Sequence, residues 1–329
     1  MTSEPIRASR PAVIAVLLSA AAVLAVIYFR DVHLAIYGET QALFLRSDLH
    51  RAILEGTADS PYRYRVLAPL LAEAVRRLLL IFLSAPEAFK YAYLITDFSA
   101  LALGLLAVER LLRQWFDDAP ALAGALALAA LLPITLRDHQ FQPWSVWEPA
   151  IYALALLLIG GERRAWLAVL VAAAALNRET AAFAVLLAGL CAADWWAVLR
   201  RRAPVPWRAL GWTALYAAVW AAIFFGLRAL RGGAPHVESL GEIWAFNTQP
   251  EHLQRALVNL PLFAGGFWAL ALIGARHAPP VPRRALWVIP PFLVLAAVYG
   301  VWFEVRMLLP LYPILIGCGL AAIFPARGA

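Results

Sequence analysis

"VLAPLLAEAVRRLLLIFLSAP", Val66 to Pro86, decides how the rest of the chain is threaded. It is apolar and long enough to suggest a membrane crossing, yet Glu73, Arg76 and Arg77 stand at its centre. Three ionisable groups at mid-bilayer carry a penalty of several kcal/mol. At helical spacing these three share one side, with Leu70, Leu71, Leu78 and Leu79 on the other. That pattern predicts an amphipathic helix within 62–85 lying in the membrane plane, not across it.

Working outward, spanning segments are expected at 12–29, 87–108, 119–135, 147–160, 165–177, 180–197, 209–230, 258–274, 286–302 and 307–324. With 62–85 lying flat there are ten, and both termini fall on the cytoplasmic side. The inside loops then hold Arg7 and Arg10, Arg110 and Arg113, Arg163 and Arg164, "RRRAPVPWR" (200–208), "RHAPPVPRR" (276–284) and Arg327. If 62–85 crossed, all the later clusters would face outward, against the bias of basic loops toward the cytoplasm. The flat arrangement is therefore the expectation: an all-α, polytopic transmembrane bundle forming one integral-membrane domain over 1–329, with an outer loop at 30–86 containing in-plane helices.

Composition agrees. The 329 residues are 63% hydrophobic and 15% charged, where soluble domains stand nearer half and a quarter. A net charge of +7 does not indicate nucleic-acid binding, because the arginines form short clusters between apolar segments, where they orient helices. The N-terminal stretch resembles a signal peptide, but its apolar run is long and bulky "IYFRDVH" follows it, so an uncleaved first span is expected. Cys191 and Cys318 lie in apolar segments without acidic or histidine company and read as inert thiols.

On this threading most carboxylates and five of the six histidines collect outside, so the outer face is where chemistry is sought. Four constellations stand there. The first outer loop brings Asp31, Glu39 and Asp48 into one stretch with Arg46, Arg63 and Arg65. A carboxylate just outside the membrane can act as general base toward a hydroxyl, and arginines can neutralise a phosphate; a solvated loop with ordinary ion pairs is the plainer alternative. "ALNRETAAF" (175–183) sets Asn177, Arg178 and Glu179 between two alanine-rich helices, as a functional knot or as a turn in which Arg178 pairs with Glu179. "VWFEVRMLLPLYPIL" (301–315) opens the last span with Glu304 and Arg306, an arginine on the side where basic residues are scarce. "RDHQFQPWSVWEP" (137–149) offers His139, Gln142, Trp144 and Glu148, suited to stacking on a sugar and binding its hydroxyls, although tryptophan is also an ordinary interfacial anchor. Asp97 stands inside a span, as an ion path or an interhelical hydrogen-bond partner. There is no phosphate-binding glycine loop, no HExxH, no GxSxG and no Cys/His cluster.

The plan of one span, an acidic outer loop with in-plane helices, and many spans with outward polar knots resembles the GT-C superfamily of integral-membrane glycosyltransferases. The chain is similar to a bacterial branch of it through "YGETQALF" (37–44), "PYRYRVLAPLL" (61–71), "NRET" (177–180) and "EVRMLLPLYPIL" (304–315). Glu39 stands where that pattern has an aspartate and Arg178 where it has a lysine. The resemblance implies sugar transfer, with inversion, from a polyprenyl-phosphate carrier to an acceptor at the periplasmic face of the bacterial inner membrane. Glu39, Asp48 or Asp31 would be the base, and Arg63, Arg65, Arg178 and Arg306 would hold the lipid phosphate. Tyr62, Tyr64, His139, Gln142, Trp144, Glu148, Asn177, Glu179 and Glu304 would contact substrate. The partners implied are the lipid-linked sugar donor and membrane lipids, without nucleic acid. No cofactor is assigned, and a carboxylate-held divalent ion (Mg or Mn) is compatible, with no ligand assigned. A lipid-linked-sugar flippase or a surface-polysaccharide polymerase or ligase are the rival readings.

Overall fold

A computed structural model describes residues 10–135, 142–233 and 239–327. The described residues form helices without strands. In chain order these are α1 (Arg10–Tyr37), α2 (Glu39–Glu55), α3 (Leu67–Leu79), α4 (Ala85–Leu112), α5 (Asp118–Thr135), α6 (Trp144–Gly160), α7 (Arg164–Asn177) and α8 (Ala182–Cys191). They continue as α9 (Trp195–Leu199), α10 (Trp207–Arg231), α11 (Leu240–Asn247), α12 (Pro250–Leu262), α13 (Phe267–Gly274), α14 (Pro280–Ala285), α15 (Ile289–Tyr299) and α16 (Tyr312–Leu320).

Four helical stretches are long and apolar enough to cross a bilayer: Ala85–Leu112, Trp207–Arg231, Pro250–Gly274 and Pro280–Tyr299. Six shorter apolar helices accompany them, at Val13–Tyr28, Asp118–Pro133, Trp144–Gly160, Arg164–Asn177, Glu179–Cys191 and Val305–Leu320. Large apolar side chains are turned outward along these elements, among them Phe225, Leu257, Leu272 and Val294. A water-soluble chain does not leave such surfaces bare, whereas lipid-facing helices do. The pattern is that of a membrane protein.

The core is built round α4, which packs against α1, α3, α5 and α6. Small residues set the approach, with Gly104 of α4 lying against the Ala150 backbone of α6. On the other side α13 packs on α16, and a Cβ on Gly274 would overlap the carbonyl oxygen of Cys318. Several expected spans are broken helices. The 180–197 segment stops at Cys191 and restarts at Asp194, whose carboxylate accepts from the Trp196 and Ala197 amides. The 258–274 segment is interrupted at Phe263–Gly266, where Ala264, Gly265 and Gly266 all have positive φ.

The first outer loop is largely helical. α1 runs on past residue 29 to Tyr37, and α2 follows after Gly38 (φ 73°). The segment 62–85 contains a 13-residue helix, α3, about 20 Å long at 1.5 Å per residue and too short for a core of about 30 Å. Its two sides are buried unequally. Glu73 is buried, while Leu70, Leu78, Ile81 and Phe82 are exposed. The Glu73 edge of α3 thus faces protein, where His50 of α2 meets it, while Arg77 of the same side is 75% exposed.

The basic loops gather at one end of the bundle. Arg327 donates to Asp117 at 2.6 Å, Gln114 lies against Gly160, and Arg284 donates to the Cys191 carbonyl at 3.2 Å. Trp166, Trp196, Trp207 and Trp287, next to those loops in the chain, are 63–75% exposed, as interfacial anchors are. Residues 62–64, the start of α6 and the end of α10 occupy the opposite end of their helices.

Candidate functional site

Four ionic side chains, three of them buried, meet at that opposite end. Arg65 follows the turn Tyr62–Tyr64, Glu148 lies in the first turns of α6, and Arg178 and Glu179 join α7 to α8. The chain stops being helical at Arg178 (φ −162°), which frees the two neighbouring side chains to diverge. Arg178 and Glu179 therefore do not pair with each other. Arg178 Nη1 donates to Glu148 Oε2 at 3.0 Å, and Arg65 grips Glu179 through both Nη2 and Nε. Thr180 Oγ1 donates to Glu148 Oε1 at 3.0 Å, and the Tyr152 hydroxyl donates to the Thr180 carbonyl at 2.6 Å. Two charges of each sign, removed from water in alternation, satisfy the rule that buried ions are paired. Glu179 keeps 32% of its side chain exposed and is the accessible member.

Around this network the aromatic residues act as walls. Tyr62 stacks on Trp144 with centroids 5.5 Å apart, and the Arg65 guanidinium lies 5.1 Å from the Trp144 ring. Trp144 is fully buried, which corrects the expectation of a face open to a sugar. Tyr64 is buried too: its hydroxyl donates to the Gly232 carbonyl at 2.9 Å, and Arg228 lies over its ring at 4.3 Å. Asn177 is buried and donates to the Trp144 carbonyl at 3.0 Å. Gln142 accepts from the Trp144 indole at 3.3 Å. His139 lies outside the described residues.

The expected phosphate-binding arginines are engaged with protein. Arg63 donates to the carbonyls of Ala58 and Arg231 at 2.9 and 3.2 Å. Arg306 is buried and bridges to Glu304 at 2.6 Å; Glu304 is within electrostatic reach of Arg178. Arg231 closes the α10 end through the carbonyls of Ile53 and Arg63. Sequence reasoning did not identify Tyr152, Thr180, Arg228 or Arg231. Thr180 and Tyr152 give no signal as a hydroxyl among apolar helices, and the two arginines look like ordinary helix-end charges.

The expected carboxylates of the first loop lie elsewhere. Asp31 is exposed near the end of α1, and Asp48 makes an exposed i,i+3 pair with Arg51 at 2.6 Å. Glu39 is 60% exposed and joined to Lys90 of α4 at a shallow cleft lined by Arg30, Arg46, Leu94 and Asp97. The Lys90 ammonium, by hydrogen bond and by charge, holds Glu39 below the usual carboxylate range, so it is ionised at neutral pH. Asp97 of α4 has the Arg46 guanidinium of α2 4.0 Å away. A third group couples α2, α3 and α4: His50 Nδ1 lies 3.0 Å from the Tyr93 hydroxyl and Nε2 lies 3.4 Å from Glu73. Arg76 and Arg77 hold the other edges of the Glu73 carboxylate at 2.6–3.0 Å.

Among the described residues no three His, Cys, Asp or Glu side chains converge as a metal site. The chain matches no family model, no curated protein and no solved structure.

Proposed function

We propose that the chain is an integral-membrane glycosyltransferase of the GT-C kind, with ten spans and both termini on the side of the basic loops. It moves a sugar from a polyprenyl-phosphate carrier to an acceptor hydroxyl at the opposite face, the periplasmic face of a bacterial inner membrane. The reading draws first on Glu39, an exposed, ionised carboxylate at the rim of a cleft that also presents Arg30, Arg46 and Lys90. Base and phosphate-neutralising cations at one lipid-facing cleft are the two requirements of this chemistry.

In the reaction Glu39 takes the acceptor hydroxyl proton as that oxygen attacks the anomeric carbon. The bond from this carbon to the phosphate oxygen breaks, and the lipid phosphate leaves with the electron pair. Attack from the face opposite the leaving group inverts the centre. Glu179, held by Arg65 and partly exposed, belongs to the separate network at the α7–α8 junction and does not line the Glu39 cleft. The buried Glu148–Arg178 pair fixes the α7–α8 junction that carries it.

The test is turnover of labelled polyprenyl-phosphate sugars by purified protein in detergent, with Mg, with Mn and with a chelator. Glu39→Gln is expected to lower turnover on the order of 10²–10⁴-fold, with Asp48→Asn close to wild type. Full activity in Glu39→Gln removes it as the base, and absence of transfer by the wild type from any such donor removes the function.

A further inference from the structure

Glu39 and its cleft belong to a longer seam between α2 and α4. Lys90, Tyr93 and Asp97 follow one another on α4 at steps of three and four residues, on one side of the helix, and each meets α2. Lys90 is paired with Glu39. The Arg46 guanidinium lies 4.6 Å over the Tyr93 ring and 4.0 Å from Asp97, and His50 Nδ1 lies 3.0 Å from the Tyr93 hydroxyl. Arg46 lines the Glu39 cleft. His50 lines a second groove, on the α3 side of α2, together with Glu73, Arg76, Arg51 and Glu55. Tyr93 is buried and touches both residues, so it links the groove to the cleft.

The proton positions in this link follow from the partners. Glu73 is gripped by Arg76 and Arg77 and is ionised, so it can only accept. His50 Nε2, 3.4 Å away, therefore carries the hydrogen and donates to it, which leaves Nδ1 to accept from the Tyr93 O–H. In that state the Tyr93 ring is tied at its hydroxyl, and Phe89 packs edge-on to the imidazole with centroids 5.2 Å apart. A second proton on His50 undoes the arrangement. Nδ1 becomes a donor, and the Tyr93 hydroxyl must turn its own hydrogen elsewhere. The ring then borders two cations one helical turn apart on α2, which like charges disfavour. Glu73 and Arg76 from α3 and Tyr93 from α4 face His50, and burial, against the pull of Glu73, holds it below its usual 6.5. It is neutral at neutral pH.

We propose that His50 and Tyr93 are positioning residues for Arg46: neutral His50 pins the Tyr93 ring as the seat of the guanidinium, and protonated His50 unseats it. Acidity at the outer face thereby sets how well the Glu39 cleft is ordered. The effect on catalysis rests on the reading of that cleft as the reacting one; the coupling of His50 to Arg46 does not.

The test has two arms, both on the full chain in detergent. In the first, kcat/KM for transfer from a labelled polyprenyl-phosphate sugar is followed from about pH 8 to about pH 5. Wild type is expected to lose most of its activity below 6.5, well above the range in which Glu39 titrates. His50→Gln stays uncharged and can bond both neighbours, so it should hold its starting value across the range. Tyr93→Phe, which keeps the ring and loses the tie, should be on the order of tenfold slower at the alkaline end. In the second arm, protein carrying ¹⁵N-histidine is titrated by NMR, the His50 signal being the one that His50→Gln removes. Arg46→Gln combined with Asp97→Asn, which leaves no buried carboxylate stripped of its cation, should raise the His50 midpoint, because coupling is reciprocal. An acid limb that persists in His50→Gln overturns the proposal. So does an unchanged His50 midpoint in an Arg46→Gln, Asp97→Asn protein that elutes and melts like wild type. If wild type transfers no sugar, the reaction falls and the NMR arm alone decides the coupling.

Discussion

At the scale of single residues, the pair Glu148–Arg178 has consequences that can be measured. Glu148 is 1% and Arg178 8% exposed, so neither charge is relieved by water if the other is removed. Glu148→Gln is expected to cost about 3–5 kcal/mol, because it strands a buried guanidinium. Replacing both, Glu148→Met with Arg178→Met, should recover most of that loss, since an apolar pair fills the space without desolvated charge. Denaturation midpoints in a fixed detergent, compared across the two variants, decide the matter: equal destabilisation by both means that shape, and not charge pairing, holds this junction. Residues 175–183 were legible as a polar knot because ionisable groups between alanine-rich helices have few benign explanations. Their partners were not legible. Arg65 reaches Glu179 across 114 positions and Arg178 reaches Glu148 across 30, and local spacing favours the neighbouring residue that the backbone turn at Arg178 in fact separates. Trp144 was misread for a related reason: an aromatic flanked by amides has the same sequence signature whether it lies open or beneath Tyr62.

At the scale of elements, α3 shows how a helix can be legible while its neighbours are not. Periodicity placed Glu73, Arg76 and Arg77 on one side, and that side does form a unit, but α2 supplies His50 to receive it and the leucines turn outward. Only the neighbour decides which face is inside. The α2–α3–α4 joint makes stability depend on pH. Burial pushes His50 below its usual 6.5 against the opposing pull of Glu73, so the fold favours neutral imidazole. Its contribution is present above 6.5 and is lost as pH falls from there through the lowered folded value. Hydrogen bonds from Arg76, and then from Arg77, bring Glu73 down to about 2 from 4.5, so its contribution holds above 4.5 and disappears only between 4.5 and about 2. Thermal midpoints measured from pH 8 downward should therefore fall in two stages, the first below 6.5. His50→Gln should abolish the first stage and keep the second. A variant that retains both stages would show that the first belongs to another group.

At the scale of the whole molecule, the two ends of the bundle are chemically unlike. One end ties the basic loops together through Arg327–Asp117 and Arg284–Cys191 and is bordered by exposed tryptophans; the other holds the paired arginines and carboxylates. A sequence with alternating polar loops makes that division readable, since the loops that come together in space are those that a flat 62–85 segment assigns to one side. Had α3 crossed, the loops now joined at Asp117 and Arg327 would still share a side, because both follow it, but Arg7 and Arg10 would lie opposite. The location of the N-terminus and of the α2–α3 region relative to the basic loops is thus the measurement with most power. Asp59 and Arg202 are exposed at the two ends, while Cys191 and Cys318 are buried, so single cysteines can be read against a silent background. In intact membranes Asp59→Cys should react with an impermeant maleimide from the outer side, and Arg202→Cys only after the membrane is opened. A cysteine placed at Ser3 should behave like Arg202→Cys, since both belong to the basic side. Reaction of Ser3→Cys from outside, with Arg202→Cys still protected, would mean an odd number of crossings before α10. That outcome would make the whole 62–85 segment a crossing and set the ends of α1 and α4 that line the Glu39 cleft on opposite faces.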